Sequence, residues 1–341
     1  MEPLLQVKDL HMTFHSYEGA AHVLDGVSLH VNPGEKVGLV GETGCGKSVT
    51  ARAVLRLLPA TARITRGQIL FKGRDLLSLS EEEMQAEIRG QGISMIFQDP
   101  MSALNPVFTI GQQLTDVVRW HGTRRVGILD YLRRALNRRE ARRIEDRVVD
   151  MLEKVRIPTP REMLNRYPVQ LSGGMRQRVL IALALINQPD LVIADEPGTA
   201  LDVSIQDQIL ELIRDLVARE GISILYITHD LGVARSLCDR IYVMYAGQVA
   251  EVAPADSLFR HQFHPYTQGL LDAIPRLTGR LGEGIEGRIP DYRQAPPGCR
   301  FVERCPRRLP HCAEVRPQPV EMAPGHFVAC HLYPEAAGEP S

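Results

Sequence analysis

One stretch constrains this chain more than any other: VGLVGETGCGKSVTARAVLRLL, residues 37 to 58. An apolar, β-branched run leads into Gly41-Glu42-Thr43-Gly44-Cys45-Gly46-Lys47-Ser48, and a helix-like segment follows. Strand, glycine-rich loop and helix, in that order, let backbone N–H groups turn inward around phosphate oxygens, while the helix N-terminus adds partial positive charge. In such a loop Lys47 reaches the β- and γ-phosphates and the Ser48 hydroxyl ligates Mg²⁺. An ordinary glycine turn is the alternative, and the flanking strand and helix patterns weigh against it. The loop predicts an α/β core that binds a nucleotide.

The bounds of the chain narrow what such a core serves. Its 341 residues allow one large domain with an appendage, or two modest domains. A formal net charge of −1 argues against a dedicated nucleic-acid binder. The N-terminus MEPLLQVKDLHMTF has no basic region followed by a long apolar run, so no signal peptide and a cytosolic location are expected. The longest apolar run, VLIALALI at 179 to 186, is far shorter than the roughly 20 residues of a membrane-spanning helix. If the protein works at a membrane, another chain spans it.

Downstream segments select the class. LVIADEP at 191 to 197 reads as a buried strand ending in two carboxylates. Asp195 sits where an acid orients Mg²⁺, and Glu196 where a base polarises an attacking water. A solvated strand end is the bland alternative. ILYITHD at 224 to 230 repeats the pattern and puts His229 at the sheet edge where ligands bind, in reach of a γ-phosphate. LSGGMRQRVLIALAL at 171 to 185 opens a helix with Ser172, Gly173 and Gly174, a second anion-binding N-terminus.

With these motifs assembled, the chain resembles the ABC transporter ATPase family. GETGCGKS is similar to its Walker A, Gln98 in FQDP to its Q-loop, LSGGM with Met175 to its signature, LVIADE to its Walker B, TALD to its D-loop and His229 to its switch histidine. The match runs in family order from about residue 4 to 275. The resemblance implies ATP hydrolysis by a head-to-tail pair of ATPase subunits. Each nucleotide is then held between one subunit's residues 41–48 and the other's Ser172, Gly173, Gly174 and Met175. It implies an ABC ATPase domain over 1–275, with a helical subdomain at about 106–185, and a C-terminal extension over 276–341. Gln98, at the entrance to the helical region, is expected to touch Mg²⁺ and relay nucleotide state to a docked permease.

KDLHMTF and VLDGVSLHV flank SYEGAA as an antiparallel β element does. An adenine-stacking aromatic is expected there: Phe14 by position, with Tyr17 second and a purely structural Phe14 as the alternative. RWHGTRRVGILDYLRRALNRREARR, 119 to 143, carries nine arginines. It is read either as a solvated helix face or as a basic surface for anionic lipid, through Arg133, Arg134, Arg138 and Arg139. Gly198 stands where the family has a hydroxyl residue and is expected to loosen the loop leading to Asp202. Cys45 replaces a common serine. A thiol at a helix N-terminus is expected to have a lowered pKa and to be oxidisable, unless it is simply a small residue tolerated in a loop.

PGCRFVERCPRRLPHC, 297 to 312, holds three of the six cysteines, and Cys330 follows. Cys299, Cys305, Cys312 and Cys330 are separated by five, six and seventeen residues, wider than usual zinc pairs. A cytosolic context disfavours disulfides. Four thiolates on a segment with little core suit an iron–sulfur cluster. Zinc or another metal, and unliganded thiols, stay open. HPYTQGLLDAIPRL at 264 to 277 and the cysteine-bearing tail resemble the peptide/nickel importer subfamily, whose members with these cysteines bind a 4Fe-4S cluster. That resemblance implies an ATPase peripheral to the cytoplasmic face of the inner membrane. Its partners are a second, similar ATPase forming a heterodimer, two permease subunits and an extracytoplasmic solute-binding protein, with no nucleic acid. A soluble ABC ATPase acting on DNA or ribosomes is the alternative, against which stand the single cassette and the lack of a coiled-coil insertion.

Overall fold

The structure is a computed structural model that describes residues 2–17, 19–122, 138–199, 201–273 and 284–333. It divides into two compact units, Met1–Leu77 with Tyr226–Ser341, and Ser78–Leu225. Among the described residues the strands, in chain order, are β1 (Leu5–Ser16), β2 (Gly19–Val31), β3 (Lys36–Val40), β4 (Ala62–Phe71), β5 (Arg74–Asp75), β6 (Ile93–Ile96), β7 (Leu191–Asp195), β8 (Ser223–Thr228), β9 (Arg240–Tyr245), β10 (Gln248–Pro254), β11 (Pro319–Ala323) and β12 (His326–Ala329).

The first unit holds an antiparallel sheet of order β2-β1-β4-β5. The expected pairing of KDLHMTF with VLDGVSLHV is found, with Phe14 opposite Ala21 and Ser16 opposite Gly19. β4 went unrecognised because Arg63, Thr65, Arg66 and Gln68 dilute its apolar residues. It pairs with β1 along most of its length. The same unit contains the run β11-β12-β10-β9-β3 of a second sheet, together with the last residues of β8, from Tyr226. β3 and β9 are parallel. Both read as nearly unbroken apolar runs because parallel strands are covered on both faces. Val37, Leu39, Val40, Ile241 and Val243 are accordingly buried.

The tail is not only loop. β11 and β12 form a hairpin around Gly325, whose φ of 72° suits glycine. β12 then pairs with β10 through Glu251↔Val328 and Val252↔Phe327. Gly298 lets two tail segments meet, since Gly298 N donates to Ala313 O at 3.1 Å and Cys299 N to Cys312 O at 2.7 Å.

In the second unit β6 and β7 are parallel and every residue of β7 is buried. Within the segment 106–185 the described residues include the helices Ile110–Arg119, Arg138–Lys154 and Gly173–Leu185, and the helix Val203–Glu220 follows beyond it. Thr109 and Gln112 close the start of the first with a capping box. Of the Arg-rich segment, 123–137 lies outside the described residues, Arg133 and Arg134 included. Arg138 and Arg139 are exposed at the start of the helix Arg138–Lys154.

Candidate functional site

In the first unit, β3 runs into the loop 41–46 and the helix Lys47–Val54. A side chain at Gly41 would run into the carbonyl oxygen of Met244, so backbone packs on backbone there. Gly46 is the N-cap residue with φ 105°, a left-handed conformation that a residue with Cβ rarely adopts. Lys47 folds back over the loop, its Nζ donating to Gly41 O at 2.7 Å and Glu42 O at 3.0 Å. Thr43 and Gly44 are exposed and Ser48 half-buried. The loop therefore has the curled backbone and the lysine that a phosphate site needs.

Cys45 corrects an expectation. It is fully buried, and burial pushes its thiol pKa up despite the nearby Lys47 ammonium. Desolvation of the thiolate outweighs the helix terminus and the cation. The thiol is thus neither lowered in pKa nor accessible to oxidants.

The loop is also braced by residues that the sequence reading did not select. Glu42 N donates to Tyr266 Oη at 2.9 Å. Tyr292 Oη donates to Gly44 O at 2.6 Å. Arg304 holds the Glu42 carboxylate with both Nη atoms, at 2.8 and 3.1 Å. Tyr266 lies in the HPY tripeptide that pointed to the subfamily, but nothing local in the sequence links it to Glu42.

His229 is exposed just beyond β8. The turn behind it is fixed by Asp230, whose Oδ1 accepts from Gly232 N at 2.7 Å and Val233 N at 3.1 Å. Phe14 is half-buried in β1, between Ala21 and Ala62 of its neighbours, whereas Tyr17 is 98% exposed.

In the second unit β7 delivers Asp195, which is buried, and then Glu196, whose φ of 46° is left-handed. Such a conformation in a residue with a side chain costs on the order of 1–3 kcal/mol and must be held by its surroundings. Thr199 does this, its Oγ1 donating to Glu196 Oε2 at 3.1 Å and its N–H to Glu196 O at 3.3 Å. Gln98 Nε2 donates to the same Oε2 at 3.2 Å. The structure therefore brings Gln98 and Glu196, 98 residues apart, into one group. Gly198 is buried where a Cβ would lie 2.8 Å from Gln206 Cγ, and its carbonyl accepts from Leu201 N at 3.1 Å.

Ser172 caps the helix Gly173–Leu185, its Oγ accepting from Met175 N at 3.4 Å. Gly173 and Gly174 are small for a packing reason. A Cβ on them would lie 3.1 Å from Leu201 Cδ2 and 2.8 Å from Ile205 Cγ2.

Back in the first unit, Cys299, Cys305, Cys312 and Cys330 line one small pocket together with His264, Phe301 and His331. All four thiols are unbridged. Burial pushes the Cys299 pKa up to about 12, and the neighbouring cysteines push it in the same direction. Cys305 and Cys330 are raised as well, mainly by burial. Among the described residues no group of three or more His, Cys, Asp or Glu side chains is gathered closely enough for a metal ion. The cysteines share a space without meeting at one point.

Against known proteins, residues 24–199 match the family model described as ABC transporter, and residues 250–312 match the one described as oligopeptide/dipeptide transporter, C-terminal region. A probable peptide ABC transporter ATP-binding protein of Sinorhizobium fredii, y4tR, is 48% identical, covering 96% of this chain and 94% of its own. The dipeptide transport ATP-binding protein DppD of Bacillus subtilis is 46% identical, over 99% and 97%. The solved ABC cassette MJ0796, a dimer bound to ADP and Pi, superposes with a TM-score of 0.61 at 26% identity, covering 74% of this chain and 98% of its own. With relatives matched over nearly the whole length, the chain belongs to the ABC transporter family, as one of its ATP-hydrolysing subunits.

Proposed function

We propose that the chain energises the import of peptides or a related small solute, from the cytoplasmic face of the membrane. The observation that carries hydrolysis is the group of Gln98, Glu196 and Thr199 at the end of β7. In this reading the loop 41–47 and Lys47 bind the nucleotide phosphates, and Phe14 stacks on adenine. Ser48, Gln98 and Asp195 offer only oxygen donors, which fits Mg²⁺. Magnesium, when bound, neutralises charge on the phosphoryl groups. Glu196 polarises the attacking water, oriented by the two donors on its carboxylate, and His229 contacts the γ-phosphate. Ser172, Gly173, Gly174 and Met175 face the nucleotide of a second ATPase subunit, a paralogue in our reading. The dimeric relative with ADP and Pi supports such a pairing.

One of these relatives is named for peptide transport and the other for dipeptide transport. Among the described residues no helix is long and apolar enough to cross a membrane. Two permease subunits would supply the pore, and a solute-binding protein the selection. Exposed Met101, Val107 and Phe108, close after Gln98, support a docking surface for a permease helix. Residues 1–275 then act as the ATPase domain, with 106–185 as its helical subdomain and 276–341 as its cysteine-bearing extension.

Hydrolysis is tested by two variants. Glu196→Gln is expected to bind ATP but hydrolyse it at least about a hundredfold more slowly, and Lys47→Ala to lose nucleotide binding. Near-normal turnover in Glu196→Gln would remove the base from this position.

We assign the four cysteines to a 4Fe-4S cluster, a reading supported by all four lining one pocket. An apolar wall of Phe301 and Tyr266 beside the pocket would limit solvent access. Anaerobic purification is expected to yield about four irons and matching acid-labile sulfide per chain. A folded, colourless, iron-free protein would count against the assignment.

A further inference from the structure

Glu42 is an awkward residue for an anion site. It places a carboxylate second in a loop whose purpose is to hold phosphate, and like charges at short range repel strongly where water is partly excluded. The structure answers with Arg304, whose side chain is only 6% exposed and grips Glu42 through both Nη atoms. The rest of that guanidinium is anchored away from the loop. Nε donates to Glu286 O at 2.8 Å, Nη2 to Ile285 O at 3.0 Å, and its plane lies over Tyr245, 5.6 Å from the ring centroid. Tyr245 in turn packs edge-on against Tyr266 and Phe301. Tyr266 and Tyr292 hold the backbone at Glu42 and Gly44. Three side chains from beyond β10 therefore fix the charge and the curvature of the phosphate loop, and Arg304 directly precedes Cys305 in the chain.

We propose that Arg304 is a positioning residue for nucleotide binding. It neutralises and orients Glu42, so that the cysteine-bearing tail is a working part of the phosphate site and not an appendage to it. The inference rests on the ATP-binding reading of the loop. A bidentate, largely buried charge pair is the kind whose loss is felt, because the remaining carboxylate keeps its charge without a partner. The loss would appear in affinity more than in the chemical step, since Arg304 acts on the loop that binds phosphate.

The test uses the full chain, a fluorescent ATP analogue for binding, and the reconstituted transporter for turnover. Arg304→Gln is expected to raise the Kd for the analogue, and the KM for ATP, about tenfold, with kcat within about twofold of wild type. Removing the stranded carboxylate should reverse part of this, so the double variant Glu42→Gln with Arg304→Gln is expected to bind the analogue more tightly than Arg304→Gln alone. A merely structural role predicts the opposite, with the two losses adding. Wild-type affinity in folded Arg304→Gln, or a double variant worse than either single one, overturns the proposal. If Arg304→Gln does not fold, Tyr292→Phe carries the test, since it removes only the hydroxyl on Gly44 O. A weaker Kd there supports the bracing, and an unchanged one overturns it. Wild type and Glu196→Gln serve as references. If both bind the analogue and the tail variants match them, only this inference fails. If neither binds it, the nucleotide reading fails with it.

Discussion

Cys45 shows how little a residue's sequence neighbours say when its environment is built from afar. Its place before a lysine at a helix start reads as an activated thiol. In the fold the sulfur is fully buried, and burial raises its pKa. We therefore expect native protein near neutral pH to resist alkylation at Cys45, and the unfolded chain to be labelled quickly. Mass spectrometry of the peptide carrying Cys45 decides it, and rapid labelling of the native protein would refute the expectation. Cys45→Ser should correspondingly leave the peroxide sensitivity of ATP hydrolysis unchanged.

At the scale of elements, the signature helix Gly173–Leu185 is the most demanding piece of packing. Its glycines meet Leu201 and Ile205 at the start of the helix Val203–Glu220. Gly174→Val would force the branched side chain against Ile205 Cγ2, and is expected to cost about 1–3 kcal/mol of stability. Ser172→Ala removes only a cap and should cost about 1 kcal/mol. Urea titration distinguishes the two, and a neutral Gly174→Val would mean that the helices part easily. Elements like these were legible in the sequence because their signals are local. A β-branched run with no polar interruption gave β3, β7 and β8, and Ser-Gly-Gly before an apolar helix gave the second anion-binding terminus. Family order singled out Gln98 and Glu196 separately, but their pairing was not legible, since nothing local joins residues 98 apart. The braces on Glu42 and Gly44 were not legible at all. They span 224 to 262 residues and come from a helix and two turns that no local pattern ties to the loop, while the tail strands β11 and β12 were hidden by their polar composition. Glu321, for instance, interrupts β11, yet its carboxylate is used to close the hairpin on Gly325 N.

Across the whole chain, the C-terminal segment is stitched to the β10 region by a buried polar group, and this makes the fold acid-sensitive in a defined way. Glu251 is buried and accepts from Phe263 N at 2.8 Å, His264 N at 3.0 Å and the His326 ring on β12 at 2.7 Å. These hydrogen bonds hold its carboxyl pKa below the ordinary 4.5 despite the opposing effect of burial. His264 caps the helix Pro265–Asp272 as the neutral ring, its Nδ1 accepting from Tyr266 N at 3.0 Å. Burial, aided by Arg307 and opposed by Glu251, lowers its pKa from 6.5 to about 4. Between those values the unfolded chain binds a proton that the native ring refuses, so stability falls as pH drops from 6.5 to about 4, by about 3 kcal/mol. The Glu251 contribution is present above its ordinary 4.5 and is lost as pH falls through its lower native value, so it extends the same trend to more acid conditions. His264→Asn keeps a capping oxygen but has no titrating ring, and is expected to flatten the upper window while leaving the lower one intact. Hydrogen exchange of the amides in β10 and in the helix Pro265–Asp272, followed from pH 7 to pH 4, measures this directly. If the two proteins lose protection with the same slope above pH 4.5, His264 is not the group that titrates.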